Sequence, residues 1–403
     1  MDGISFAARV LPAGAPLTLR LKGPTPWREL QGWADIASQI GALTGRCGFE
    51  RLAGPGMVVA EGDTADRQQA GLSLDMTFRR TNHRSRWRMS GLADTDVGAF
   101  AALFAVAFQH PISIDLWRWK YGEGRGVAVC AWRGPDLIAH YGGMLRQVMA
   151  FGLPVTALQV CDAMVAPKER GVLGKAGAMF QVTATFLELY QGLARVPLAF
   201  GFPSQRAMAL GELTGLYAEV GKVSEVSWPA RNGPPLLGTR LIDFQPEQQA
   251  HQQALNNLWQ AMARELVTSV VGVRDLPYLR YRYLEHPEHR YRLVLMRRRL
   301  TASPLGLLIL RQMGRKLALV DWVAPLRQLP LLLKQARRLA ALWGHDSLYG
   351  WIPSQHLERF HTSDMDPPVS EVRIPTNAWI PQPYSVDQLR GRWWLVMGDT
   401  DFL

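Results

Sequence analysis

The residues best suited to chemistry lie between Thr156 and Tyr190. TALQVCDAMV (156–165) reads as an apolar strand carrying one carboxylate, Asp162. The turn APKERGVLGKAG (166–177) brings Gly171, Gly174 and Gly177 together with Arg170 and Lys175. AMFQVTATFLELY (178–190) reads as a helix with apolar residues on more than one face, as expected of a helix lying on a sheet. A glycine-rich turn opening a helix suits a phosphate. Glycines let the backbone approach closely, the first-turn N–H groups point outward, and the helix dipole favours an anion there. The plainer alternative is a helix-start loop with a solvated Lys175.

Asp162 admits two roles. Burial in an apolar strand would raise its pKa toward that of a usable base. Equally, it could be a structural carboxylate bonded to loop amides. His140 and Tyr141, in HYGGM on the preceding strand, either face an acceptor or belong to the core. Trp117, Trp119 and Tyr121 offer flat surfaces for a ligand, although Trp117 reads better as core.

Around this stretch the expected order is strand, two helices, two hairpin strands, strand, helix, strand, helix, strand, from Trp87 to Trp228. The first helix has apolar spacing at Phe100, Leu103, Phe104 and Phe108, with Asp94 or Thr95 as its cap. Pro111 breaks it, and Gly134-Pro135 marks a hairpin. SQRAMALGELTG (204–215) is the last helix and LYAEVGKVSEVSW closes the unit. This is a mixed α/β unit. Before it, residues 1–85 are a poorly patterned extension, with strands expected in LTLRLKG (17–23), GMVVAEG (56–62) and LSLDMTF (72–78) and a helix over 27–45. After it, residues 233–403 form a further block of helices and strands ending in WWLVMGD (393–399) as a strand.

With 48% hydrophobic and 20% charged residues, the chain has the make-up of a soluble globular protein of more than one domain. No apolar run is long enough to span a membrane, and the N-terminus lacks signal-peptide character, so a cytoplasmic location is expected. Three scattered cysteines make no metal cluster. The net charge of +11 is local: residues 274–343 hold fifteen Lys or Arg against four Asp or Glu, while the rest of the chain holds thirty of each sign. Such a segment is either a solvated face or a surface for an anionic partner.

VAPKERGVLGKAG followed by GFPSQRAMALGELTGLY, with HPISIDLWRWKY and HYGGM before them, resembles the GNAT acyltransferase superfamily, in the branch found beside polysaccharide and natural-product genes. That superfamily's phosphate signature is Gln or Arg, two residues, Gly, one residue, then Gly or Ala. From Arg170 the glycine position falls on Leu173, while Gly174 and Ala176 match with one added residue. The resemblance implies a GNAT fold and an N-acyltransferase that moves an acyl group from acetyl-CoA or another acyl-CoA to a small amine or amino sugar. It needs no metal and no covalent intermediate. It places the co-substrate on Met164, Val165, Arg170, Gly171, Gly174, Lys175, Ala176, Gly177 and Ser204. It makes Asp162, His140 and Tyr217 the catalytic candidates. The superfamily's thiolate-protonating tyrosine aligns with Gly211, which leaves Tyr217 as its substitute.

The block after 233 repeats the order coarsely, LPYLRYRYLEHP answering SIDLWRWKYGEG. KLALVDWVA is followed by PLRQLPLLLKQ, which has no glycine, so the expectation is a tandem GNAT protein whose second half is degenerate. Two alternatives accompany this reading. One is a long-chain or carrier-protein-dependent acyltransferase, with Arg274–Arg338 facing an acyl carrier protein or an anionic surface. The other is an inactive scaffold using that same segment. Nucleic acid is not the expected partner.

Overall fold

The structure, a computed structural model, describes residues 16–23, 49–51, 56–59, 72–80 and 87–402, apart from 94, 95, 172, 173, 194, 195 and 235. The helix expected over 27–45, the caps Asp94 and Thr95, and Leu173 lie outside the described residues.

The N-terminal strands β1 (Pro16–Gly23), β2 (Phe49–Arg51), β3 (Gly56–Val59) and β4 (Leu72–Arg80) make a four-stranded antiparallel sheet in which β4 pairs with the other three. The strands expected at 17–23, 56–62 and 72–78 are all here, the second ending early.

Next come β5 (Arg88–Ser90), α1 (Val97–Phe108), α2 (Ile114–Tyr121), β6 (Gly126–Arg133), β7 (Asp136–Ala150), β8 (Leu153–Val165), α3 (Ala178–Phe186), β9 (Leu198–Phe200), α4 (Gln205–Leu213) and β10 (Tyr217–Pro229). This is the order the residue pattern predicts. Ser113 caps α2 by accepting the Leu116 N–H at 3.1 Å. Gly134 turns β6 into β7 in the left-handed region (φ 58°), and Phe151 and Gly152 (φ 51° and 81°) turn β7 into β8. Past Phe186 the helix α3 loosens into a π-helical stretch over Leu187–Leu193. The apolar residues of α3 bury one cluster against β7, and those of α1 and α2 bury another on the opposite face.

One pairing matters most for function. β8 and β9 run parallel, but they pair only over Ala157–Gln159 and Leu198–Phe200. Beyond Gln159 they part. β8 stays on β7 as far as Val165, while Phe202, just past β9, packs on Trp351 of the C-terminal half.

The remaining elements are β11 (Thr239–Asp243), α5 (Gln249–Glu265), β12 (Val270–Gly272), α6 (Leu276–Leu279), β13 (Arg292–Arg298), β14 (Pro304–Met313), β15 (Lys316–Val323), α7 (Leu329–Leu342), β16 (Ser347–Pro353), β17 (Ser370–Asn377), α8 (Val386–Leu389) and β18 (Trp393–Trp394). The seven-stranded sheet here reads β11-β13-β14-β15-β16-β10-β17. Again a parallel pair, β15 and β16, is joined over only four residues and is bridged by a helix, α7.

Two features depart from the predicted order. β10, which element order assigns to the first unit, hydrogen-bonds between β16 and β17 of the second sheet. In return, β12 and β18 extend the sheet of β7. The two halves therefore exchange strands, and one hydrophobic core runs through both. WWLVMGD is a strand only at Trp393–Trp394. It then turns through a 3₁₀ segment, Met397–Asp399, because the Asp399 carboxylate accepts the Val396 N–H at 2.9 Å. This segment packs against both β15 and β16, and Gly398 is required there, since a Cβ would lie 2.2 Å from the Tyr283 hydroxyl. Among the described residues no helix is long and apolar enough to cross a membrane.

Candidate active site

The glycine-rich turn meets α3 as predicted. Gly174 takes a left-handed conformation (φ 72°) that strains any other residue, and Gly177 is the N-cap of α3 without a side-chain cap bond. The first-turn amides after Gly177 are thus not capped by a side chain, the condition for binding an anion. Lys175 is exposed and its Nζ stands 5.3 Å from the centre of the Trp379 ring. Arg170 is turned back on its own strand. Its Nε donates to the Val165 carbonyl (3.0 Å) and its Nη2 to that of Ala107 (3.4 Å). Ser204 caps α4 by accepting the Ala207 N–H at 3.2 Å. Met164 and Val165 pair in register with His140 and Ala139.

Asp162 sits at a bulge in β8, with φ 49° and the register slipping between His140 and Gly142. Its carboxylate accepts from Lys120 Nζ (2.7 Å) and from the Tyr121 hydroxyl (2.6 Å), both on α2. Lys120 also pairs with Asp401 at 2.6 Å. All three side chains are at most 5% exposed. Burial alone would raise the Asp162 pKa, but the Lys120 charge and the two hydrogen bonds outweigh it and hold the carboxyl below its ordinary value. Burial alone would likewise lower Lys120, yet Asp162 and Asp401 hold the ammonium above its ordinary value. Asp162 is therefore neither a raised-pKa base nor a cap on loop amides; it is half of an ion pair. Cys161 Sγ lies with these two carboxylates, a set of donors close enough for a metal ion, and the Lys120 ammonium is the cation already seated on both carboxylates.

His140 is fully buried beneath α1 and α2, edge-on to Phe100 and Tyr121. Its Nδ1 lies 2.7 Å from the Asp162 carbonyl, which can only accept, so Nδ1 carries the proton and the unpartnered Nε2 is bare. Burial pushes its pKa down to about 4, so the ring is neutral at pH 7. Tyr141 faces the other side of β7, toward α3, and its hydroxyl meets that of Tyr217 at 2.6 Å. Burial pushes the Tyr217 hydroxyl up to about 12.

Gly211 explains the position of Tyr217. A Cβ at 211 would stand 1.9 Å from Tyr217 Cδ2 and 2.6 Å from Cε2. The missing side chain on α4 is the space filled by a tyrosine ring entering from β10. The structure thus puts Asp162 and His140 together on the α2 face and Tyr217 on the α3 face, with β7 and β8 between them. Trp117 is core, as expected, while Trp119 packs against the C-terminal half rather than a pocket.

Lys120 and Asp401 were not anticipated. A signal for Lys120 exists in a repeat: Arg-Trp-Lys-Tyr (118–121) against Arg-Tyr-Arg-Tyr (280–283), and Asp162…Val165-Ala166-Pro167 against Asp321…Val323-Ala324-Pro325. The structure uses these segments alike. Tyr283 donates to Asp321 on β15 (2.7 Å) as Tyr121 donates to Asp162 on β8. Trp119 Nε1 donates to the Tyr281 carbonyl (3.0 Å), and the Tyr281 hydroxyl donates back to the Trp119 carbonyl (2.8 Å). Asp321 is further held by Arg274 at 2.9 Å, and Arg274 by Asp399 at 2.9 Å.

Comparison with known proteins now bears on this geometry. Residues 88–210 match the model described as an acetyltransferase (GNAT) domain. Over these residues the chain is similar to a GNAT acetyltransferase domain. This region contains the parting strands, the glycine-rich turn and α3, and it marks the protein as an acyltransferase. Solved structures share the fold at low identity. A protein from Enterococcus faecalis V583 titled a probable N-acyltransferase aligns with TM-score 0.57 and 11% identity over 73% of each chain. A GCN5-related N-acetyltransferase from Anabaena variabilis ATCC 29413 aligns with TM-score 0.52 and 12% identity, also over 73% of each. Saccharomyces cerevisiae N-myristoyltransferase with bound myristoyl-CoA aligns with TM-score 0.50 and 9% identity over 85% of this chain and 90% of that one. No curated protein matches the sequence.

Proposed function

We propose that residues 86–232 bind an acyl-CoA and transfer its acyl group directly to a small amine or amino sugar, and that residues 233–403 are a degenerate GNAT-like second copy, with 1–85 an extension. The observation that carries this is the uncapped start of α3 after Gly177, lying behind β8 where β8 and β9 part. A parted parallel pair leaves strand edge free to hydrogen-bond a pantetheine arm, and a bare helix start takes the pyrophosphate. Gly171, Gly174, Ala176 and Gly177 supply backbone access, Lys175 supplies charge, and Met164 and Val165 lie along the arm. Arg170, by bonding the Val165 carbonyl, fixes the strand end; Ser204 fixes the start of α4 beside the arm.

Tyr217 is the acid in this reading. With its pKa near 12 it holds its proton at neutral pH and can pass it to a departing thiolate. Asp162 and Lys120 position β8 rather than exchange protons, because an ionised, ion-paired carboxylate has little drive to accept one. His140 presents a bare Nε2, but burial pushes its pKa down to about 4, so it too has little drive to accept a proton and instead holds the bulge through its bond to the Asp162 carbonyl. In the second copy the parting of β15 and β16 is met by Met397–Asp399, and α7 follows the Val-Ala-Pro corner with no glycine turn, so a donor has no comparable place.

Titration calorimetry with acetyl-CoA and longer acyl-CoAs tests the donor side, and thiol release with a panel of amines tests the acceptor side. Binding that Gly174→Val abolishes supports the reading, and the preferred chain length names the donor. Absence of binding at millimolar acyl-CoA overturns it in favour of a scaffold, and thiol release only with carrier-protein thioesters overturns the choice of donor.

A further inference from the structure

Seven of the fifteen cations between Arg274 and Arg338 are buried or ion-paired. Arg274 and Arg282 are buried, and Arg280, Arg292, Arg315, Arg327 and Arg337 pair with Glu247, Asp243, Asp346, Glu265 and Asp364. Among the others, a group lies at one end of the second sheet, where two turns meet. The Arg299 N–H donates to the Gly238 carbonyl (2.8 Å), and Thr239 and Arg240 are the register partners of Arg298 and Arg297. The β13–β14 turn closes through the Arg298 N–H to Ser303 O (2.8 Å), with Ala302 in the left-handed region (φ 55°). At this tip Leu237 is 91% exposed and Leu300 96% exposed.

Isolated surface leucines are ordinary. Here two stand on touching turns among the exposed Arg240, Arg298 and Arg299. On the α7 side, Gln335 bonds the Thr239 hydroxyl (2.7 Å) and accepts from Arg338 (3.5 Å), which brings a fourth arginine to the same end. Neither 231–242 nor 289–303 contains a carboxylate, and neighbouring Asp243 is the partner of Arg292 (3.4 Å). The result is a protruding, uncompensated basic tip with leucines at its apex. A protruding tip meets too little surface for a stable protein interface, which needs roughly 800 Å² per partner. It does suit a bilayer, where leucines enter the headgroup layer and arginines meet lipid phosphates.

We propose that this tip docks the protein on an anionic lipid surface, through Leu237 and Leu300 inserted between headgroups and Arg240, Arg298 and Arg299 paired with phosphates. The proposal does not depend on the acyltransfer reading. The full chain is sedimented with vesicles of phosphatidylcholine alone and of phosphatidylcholine mixed with phosphatidylglycerol, over a range of salt. Binding is expected only to the mixed vesicles and falls with salt. The pair Arg298→Glu and Arg299→Glu is expected to weaken it by at least about 25-fold, at about fivefold per charge. The pair Leu237→Ser and Leu300→Ser is expected to weaken it by roughly tenfold. Both pairs are expected to melt like the parent, since these side chains are exposed. The proposal is overturned if mixed vesicles do not bind, or if the leucine pair has no effect, which would mean simple attraction to a cationic protein. It is equally overturned if the tip instead captures purified acyl carrier protein in the absence of lipid.

Discussion

Gly211→Ala is the sharpest probe of how the domain supplies its tyrosine. The added Cβ would fall 1.9 Å from Tyr217 Cδ2, well inside contact, and that ring is held by the hydroxyl bond to Tyr141. α4 is tied to β17 by the Glu212–Arg373 ion pair, and Tyr217 is paired with Asn377 on the same strand, so the ring must yield. Overpacking of this kind costs about 1–3 kcal/mol. Moving the ring also strips two buried hydroxyls of their partner, at about 1–3 kcal/mol more. A loss of about 2–6 kcal/mol is therefore expected, measured by urea unfolding followed by tryptophan fluorescence. The control is the double mutant. In Tyr217→Ala the space over residue 211 is open, so adding Gly211→Ala should cost little, and the coupling in the double-mutant cycle should approach the whole single-mutant cost, about 2–6 kcal/mol. Additive effects, or Gly211→Ala within about 0.5 kcal/mol of the parent, would refute the claim that the ring replaces a side chain at 211.

Four further outcomes are expected. Tyr217→Phe should keep acyl-CoA affinity and lower turnover, which separates its chemical role from binding; loss of affinity with turnover intact would argue against an acid. Lys120→Met leaves Asp162 and Asp401 buried without their cation and should cost about 3–5 kcal/mol, with Lys120→Arg restoring part of it, as read by urea unfolding. His140 is neutral when folded down to about pH 4 but protonates near 6.5 when unfolded, so stability is full above 6.5 and drains as pH falls toward 4, by roughly 3 kcal/mol. His140→Gln should flatten that slope in unfolding at several pH values. Tyr217 runs the other way: its contribution is full below the unfolded value of 10.0 and is lost as pH rises toward 12, with a late phenolate absorbance step that Tyr217→Phe removes.

Much of the fold is legible in the chain because its local signals agree. Gly134 and Gly152 close hairpins, Ser113 and Ser204 cap helices, and Gly174 and Gly177 open α3. What is not legible is long-range. β12 has three residues and β17, SEVRIPTN, is polar at its start, so neither carries a strong period of its own; each is a strand because a partner edge waits for it. The site divides in the same way. The turn and its helix start are local and visible. Asp162 as an ion pair is not, because its partner Lys120 sits on another element and Asp401 lies more than two hundred residues further on. A single carboxylate in an apolar strand reads as a base until its cation is seen.

The strand exchange has a consequence for biosynthesis. The sheet built on β7 is complete only when Trp393 and Trp394 add to β12, and β10 has no partner until β16 has been made, more than a hundred residues after it. Chain emerging from a ribosome at about 5–20 residues per second would leave the edge of β10 unpaired for many seconds. Contacts so distant in sequence make folding slow and expose strand edges meanwhile. Synthesis halted near 232 would thus yield an aggregation-prone fragment, rescued by supplying the remainder in the same cell.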